Sequence, residues 1–205
     1  MSPTSSEQEK TTVSTTESPR KDISEIVNWK KLEVKFTAYK DITTANGGSN
    51  ASAPHSQRNY SPSDSVSETE NLSDGDKVYI GKHGEECLFD YLNARFDNVK
   101  WVSTNNSQGI PGDDSLGYDF EIIDGDGKSQ YIECKTTTGT TGTAEIHLGP
   151  TELSKAQECL PTENYSVYRV FPHGDQLQIV DLGNPLAEGN SVISFCGLKF
   201  RWRKK

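Results

Sequence analysis

Hydrophobic residues are spread unevenly along the chain, and their spacing changes character near residue 79. Across 84–96, Cys87, Leu88, Tyr91, Leu92 and Phe96 fall on one helical face, which predicts an amphipathic helix. A short strand follows at 99–102, then a polar loop at 105–117 rich in Gly, Asn and Asp. The runs 118–123 and 130–136 alternate as strands do. Asp124-Gly125-Asp126-Gly127 between them is a strong hairpin signal. A further strand is predicted at 144–148. Pro150 then opens a helix to Cys159, since proline is tolerated in a first turn, where its missing N–H is not needed. Strands at 165–171 and 176–181 follow, with a candidate last strand at 198–203. The order predicts an α/β domain with a mixed sheet flanked by helices.

Upstream the texture is different. Segments 1–21 and 46–75 are rich in Ser, Thr, Pro and acidic residues and nearly lack large apolar ones. They cannot bury enough surface to offset the entropy of ordering, so residues 1–76 are expected to be a largely disordered Ser/Thr-rich tail. Within that tail, 23–39 stands apart. Ile23, Ile26 and Val27 keep helical spacing, and Leu32, Val34 and Phe36 alternate like a strand. This segment is either an isolated partner-binding motif or an element that docks on the domain at 77–205.

The hairpin register decides which side chains meet. A three-residue loop with Gly127 left-handed pairs Asp124 with Lys128 and sets Phe120 opposite Ile132 and Asp119 opposite Glu133. Phe120, Ile122, Ile132 and Cys134 then share an apolar face, whereas Asp119, Glu121, Tyr131, Glu133 and Lys135 share the other. A two-residue loop would put Phe120 opposite Glu133, so the apolar matching favours the longer loop.

Composition narrows the function classes. The 205 residues are 32% hydrophobic and carry a net charge of −9. The part up to Gly75 has 8 basic and 11 acidic residues, and the rest has 13 and 19, so the expected domain is the more acidic part. An acidic surface is not a natural autonomous binder of nucleic acid. Cys87, Cys134, Cys159 and Cys196 form no Cys-x-x-Cys pair, and the four His residues complete no zinc-finger spacing, which argues against structural zinc. Buried free thiols fit an intracellular protein, nuclear or cytoplasmic, and no apolar run resembles a signal peptide or a membrane span.

The candidate chemistry lies on the polar face of the hairpin. Asp119 and Glu133 as cross-strand neighbours repel unless a cation or proton sits between them. Hard oxygen ligands with open positions suit Mg²⁺, with Mn²⁺ the other candidate. Lys135, two residues along on the same face, can orient or deprotonate a water and stabilise charge on a phosphoryl oxygen. Such an outfit suits metal-assisted phosphodiester hydrolysis.

The ordered set Gly81-x-x-Gly84-Glu85, Trp101-Val102, Tyr118-Asp119-Phe120, Tyr131-Ile132-Glu133-Cys134-Lys135 and Glu152-Leu153 resembles the C-terminal domain family of plant NO VEIN proteins, grouped with PD-(D/E)XK nucleases. The resemblance covers residues 79–181. It implies a restriction-endonuclease-like core in which Asp119 and Glu133 are metal ligands, Lys135 activates water, and Glu85 is a further ligand or an acid behind the ligands. Tyr118 stands where the nuclease motif has Pro, as the NO VEIN-like pattern also does, and Cys134 replaces the usual Val.

Ordinary structural roles compete at several positions. Glu85 could instead serve the helix dipole, and Glu152 reads as an acid capping the second helix. Asp113 and Asp114 follow Pro111-Gly112 and fit turn chemistry. His83 and His147 read as surface or satisfied polar residues, and 136–143 as a flexible loop beside the site. In 198–203, Leu198, Phe200 and Trp202 alternate with Lys199, Arg201 and Arg203, which reads as an edge strand protected by charge. Two functions compete: a Mg²⁺-dependent nuclease-like enzyme acting on DNA rather than RNA, and an inactive nuclease-fold module in a larger assembly. The Ser/Thr-rich tail is a candidate site for protein partners.

Overall fold

A computed structural model of the chain describes residues 28–41, 72–139 and 145–190. The expectations for 1–21, for Ile23, Ile26 and Val27, for most of 46–75, for Cys196 and for 198–203 lie outside the described residues.

The longest helix, α1, spans Asp74–Asn93 and starts ten residues before the predicted helix. Ser73 begins it with a capping box. Its hydroxyl accepts the Asp76 N–H at 3.2 Å, and the Asp76 carboxylate accepts the Ser73 N–H at 3.1 Å. The first turns escaped the hydrophobic pattern because Val78 and Tyr79 remain exposed on them. Farther along, Ile80, Cys87, Leu88, Tyr91 and Leu92 turn inward with helical spacing.

Six strands form one mixed sheet: β1 (Glu33–Thr37), β2 (Val99–Trp101), β3 (Phe120–Ile123), β4 (Ser129–Thr136), β5 (Tyr165–His173) and β6 (Gln176–Asp181). Their order is β1-β6-β5-β4-β3-β2. The pairs β1–β6 and β4–β5 are parallel, and the others antiparallel. The predicted α/β class and mixed sheet are therefore observed. Strand β5 is buried for most of its length, as a central strand covered on both faces should be.

The alternating triplet Leu32, Val34 and Phe36 belongs to the segment that docks. Val34 pairs with Leu177 and Phe36 with Ile179, so β1 extends the sheet beyond β6. The short 3-10 turn Trp29–Lys31 before it sinks Trp29 into the core at 2% exposure. Phe36 stacks on Tyr91 of α1, with ring centres 5.4 Å apart. The sheet thus recruits residues from within the expected tail.

The helix α2 spans Pro150–Glu158, with Pro150 in its first turn as expected. The strand predicted at 144–148 is not one: residues 145–149 have no regular structure, and Ala144 lies outside the described set. The reason is topological. Both edges of β4 are already paired, by β3 and β5, and the parallel step from β4 to β5 needs a crossover over one face. Residues 145–149 and α2 supply it.

The two helices cover opposite faces. On the α1 side lie Leu88, Trp101, Phe120, Ile122, Ile132, Cys134 and Val170. On the α2 side lie Ala156, Cys159, Tyr165 and Val167, with Tyr118 and Tyr131 at their margin. Each large side chain buried this way contributes about 1.5–3 kcal/mol relative to exposure. No helix among the described residues is long and apolar enough to cross a membrane.

Candidate functional site

The β3–β4 hairpin fixes the site. Gly127 adopts a left-handed φ of 77°, and Asp124 N–H donates to Lys128 O at 3.0 Å. Phe120 pairs with Ile132, the register of the three-residue loop. Phe120, Ile132 and Cys134 turn to α1, which leaves Glu133 and Lys135 on the α2 side with Tyr131. Asp119 sits at the entry to β3, where its N–H donates to Ile132 O at 2.9 Å. Its carboxylate accepts the Cys134 N–H at 2.8 Å.

The structure brings Asp119, Glu133 and Lys135 together. Lys135 Nζ lies 2.6 Å from Glu133 Oε1. Burial, then the neighbouring charges of Glu133 and Glu85, push the Asp119 carboxyl well above the usual range, although part of the residue reaches solvent. Burial likewise pushes Glu133 up to about 7, against the pull of Lys135. For Lys135, burial acts downward, but the Glu133 and Glu152 carboxylates outweigh it and hold the ammonium above its usual value. These directions describe a recess holding more acid than one lysine can neutralise.

Glu85 sits well inside α1, so the alternative of a helix-terminus acid does not apply. Its buried carboxylate accepts from Trp101 Nε1 at 2.9 Å, from Asn105 Nδ2 at 2.6 Å and from the Ser103 hydroxyl. It is near enough to raise both Asp119 and Glu133. Gly84 makes this approach feasible: a Cβ there would fall 2.1 Å from Thr136 Oγ1, so only glycine lets α1 lie this close to β4.

The sequence reads Glu152 as a cap. It does stand in the first turn of α2, but the helix start has no side-chain cap bond, and Glu152 Oε1 lies 3.5 Å from Lys135 Nζ. Sequence reasoning also missed Trp101, Ser103 and Asn105 around Glu85, and buried Arg169, the partner of Lys135 in the β4–β5 ladder. In the sequence the one signal for Trp101 is its place in the ordered motif set. Glu121, on the same nominal face, is drawn away to Lys100 at 2.8 Å and Ser129 at 2.6 Å. Asp113 and Asp114 serve the loop: Asp113 accepts the Ser115 N–H, and Asp114 accepts the Thr104 N–H. His83 is largely buried near Glu86, and His147 is exposed. Among the described residues no three His, Cys, Asp or Glu side chains converge as a metal cage.

The ordered motifs and their placement agree with a comparison to known families. The profile described as protein NO VEIN, C-terminal, matches residues 84–182. These residues belong to the NO VEIN C-terminal family. Protein NO VEIN of Arabidopsis thaliana is 31% identical over 105 residues, taking in 44% of this chain and 3% of that protein. The chain thus matches a small part of that relative. No solved structure matches the chain. The NO VEIN-type segment opens at Gly84-Glu85 and closes after β6, so it holds every site residue named above. Strand β1 and Trp29, which complete the sheet and core here, fall outside it.

Proposed function

We propose that this domain is a Mg²⁺-dependent phosphodiesterase of the PD-(D/E)XK type acting on DNA. The observation that carries the reading is the convergence of Asp119, Glu133 and Lys135 at the hairpin entry. The donor set fits a divalent ion: two hard carboxylates, each raised by burial and by the other acids, gain from a cation between them. The fit is to an ion held by two carboxylates and water, as Mg²⁺ or Mn²⁺ accepts, and not to an all-protein cage. When bound, such an ion supplies Lewis acidity at a phosphoryl oxygen.

The chain's own residues do the rest. Asp119 and Glu133 would hold the cation, and the ammonium of Lys135 orients water and stabilises charge gathering on the phosphoryl oxygens. Water adds to phosphorus and gives up a proton, the ester P–O bond breaks, and the leaving alkoxide takes up a proton in turn, so the net change is one water consumed per bond cut. Glu85, with three donors already on its carboxylate, acts behind the ligands and pins the end of β2 against α1.

The acidic balance favours a second reading, a fold kept for docking in a larger assembly. From Asp76 on, 13 basic against 19 acidic residues leave a net −6, which repels free DNA over most of the domain's surface. In that reading the Ser/Thr-rich N-terminal part offers contacts to protein partners. One experiment separates the two. Full-length protein is titrated with Mg²⁺ and Mn²⁺ by calorimetry, then incubated with DNA and RNA. Cleavage of DNA that requires metal and is lost in Glu133→Gln and Lys135→Ala is the expected result. Cleavage retained in both variants overturns the assignment, and metal binding without cleavage supports the docking module.

A further inference from the structure

We propose that Glu152 is the positioning residue for Lys135: a second carboxylate, carried on another element, that takes over the ammonium when Glu133 turns to a divalent ion. The takeover rests on the proposed cation site, whereas the pairing of Lys135 with two acids stands on geometry alone.

Lys135 Nζ now lies 2.6 Å from Glu133 Oε1 and 3.5 Å from Glu152 Oε1, so Glu133 holds it and Glu152 stands by. A dication held by the Glu133 carboxylate would repel the ammonium beside it. Lys135 would then be held less tightly by Glu133. It is largely buried, with 21% of its side chain exposed, so it needs another carboxylate nearby. Glu152 fits that need in three ways. It stands on the first turn of α2, so it stays in place when β4 side chains rearrange. Its other oxygen, Oε2, is buried and has no hydrogen-bond partner, a deficit that one ammonium with three donors can relieve. Gly149 leaves the room: a Cβ there would lie 2.5 Å from that same oxygen.

The test is lysine acylation of the full chain, read at each lysine by mass spectrometry, with and without saturating Mg²⁺. Without metal, Glu133→Gln and Glu152→Gln each leave Lys135 slow, because one carboxylate remains. Glu133→Gln combined with Glu152→Gln speeds Lys135 labelling about tenfold, the effect of removing both carboxylates that contact the ammonium. With Mg²⁺, Glu152→Gln alone becomes as fast as the double variant, and the wild type does not. A double variant no faster than Glu133→Gln overturns the proposal outright. The metal-free pattern without any Mg²⁺ response keeps the pairing but overturns both the takeover and the cation site. If the double variant does not fold, which Lys155 and Lys100 report by speeding up together, Glu152→Asp in the Glu133→Gln background decides. Aspartate keeps the acid at the helix start but draws its oxygens back by a methylene. Fast Lys135 labelling there supports positioning, and slow labelling reduces Glu152 to a helix-dipole acid.

Discussion

Burial acts on Glu133 more strongly than Lys135 does, and the result is a carboxyl lifted from about 4.5 to about 7. An acid raised on folding binds more protons in the folded than in the unfolded chain between those two values. Stability is therefore lost as pH climbs through the window. Asp119 is shifted in the same direction. Lys135 is raised as well, and its share of stability disappears only in the alkaline range. The urea midpoint of the metal-free protein should fall between about pH 5 and about pH 8, and Glu133→Gln should flatten the slope. A midpoint that climbs over that range would mean the acids are held charged. Glu85 makes a separate case. Glu85→Ala strands the Ser103 hydroxyl and the Asn105 amide and leaves the Trp101 N–H only Ser103 Oγ as acceptor, and should cost about 3 kcal/mol by denaturant unfolding. Glu85→Gln, which keeps one acceptor, should cost less.

At the scale of elements, the seating of α1 on β4 depends on one missing methyl. A Cβ on Gly84 would meet Thr136 Oγ1 at 2.1 Å and Cγ2 at 2.5 Å, atoms of a β-branched side chain with little freedom to turn. Gly84→Ala should therefore lower stability by about 1–3 kcal/mol, even though alanine favours helix, and Thr136→Ala should recover part of the loss. A neutral Gly84→Ala in thermal melts would show that the contact is slack. This contact was not legible in the sequence, because it joins residues far apart in the chain and leaves no periodic trace. The hairpin was legible, since Gly127 and the period-2 pattern fixed both register and face. That parity put Glu133 and Lys135 on one side; it also set Asp119 inside the strand opposite Glu133, whereas the observed ladder begins at Phe120 and the Asp119 N–H bonds Ile132 O just before it. The second lysine partner was not: Glu152 comes from the crossover helix, and an acid in a first turn looks the same whether or not a lysine stands opposite. The segment at 144–148 misled for a related reason. Alternation marks which side chains can face inward, but not whether a sheet edge is free to receive a strand. For Leu32, Val34 and Phe36 the edge was free, at β6, and the same kind of pattern did become a strand.

For the whole molecule the governing fact is an acidic chain that concentrates further acid in one recess. A cation that binds only the folded form stabilises it by an amount set by concentration over Kd, about 1.4 kcal/mol at ten times Kd, or a rise of several degrees in Tm. General screening of a −9 chain also helps, but it acts on many dispersed charges and does not depend on one side chain. The two can be told apart by pH and by mutation. Slightly above neutrality Glu133 has largely given up its proton, and Mg²⁺ should raise Tm in the wild type more than in Glu133→Gln. Near pH 5 Glu133 holds its proton, which competes with the ion, and burial raises Asp119 in the same direction, so the difference between wild type and variant should vanish. Scanning calorimetry of both proteins at the two pH values, with Mg²⁺ against a matched ionic strength of sodium chloride, reads this directly. An equal gain in the variant at both pH values would assign the effect to screening and leave Asp119 and Glu133 as a proton-sharing pair.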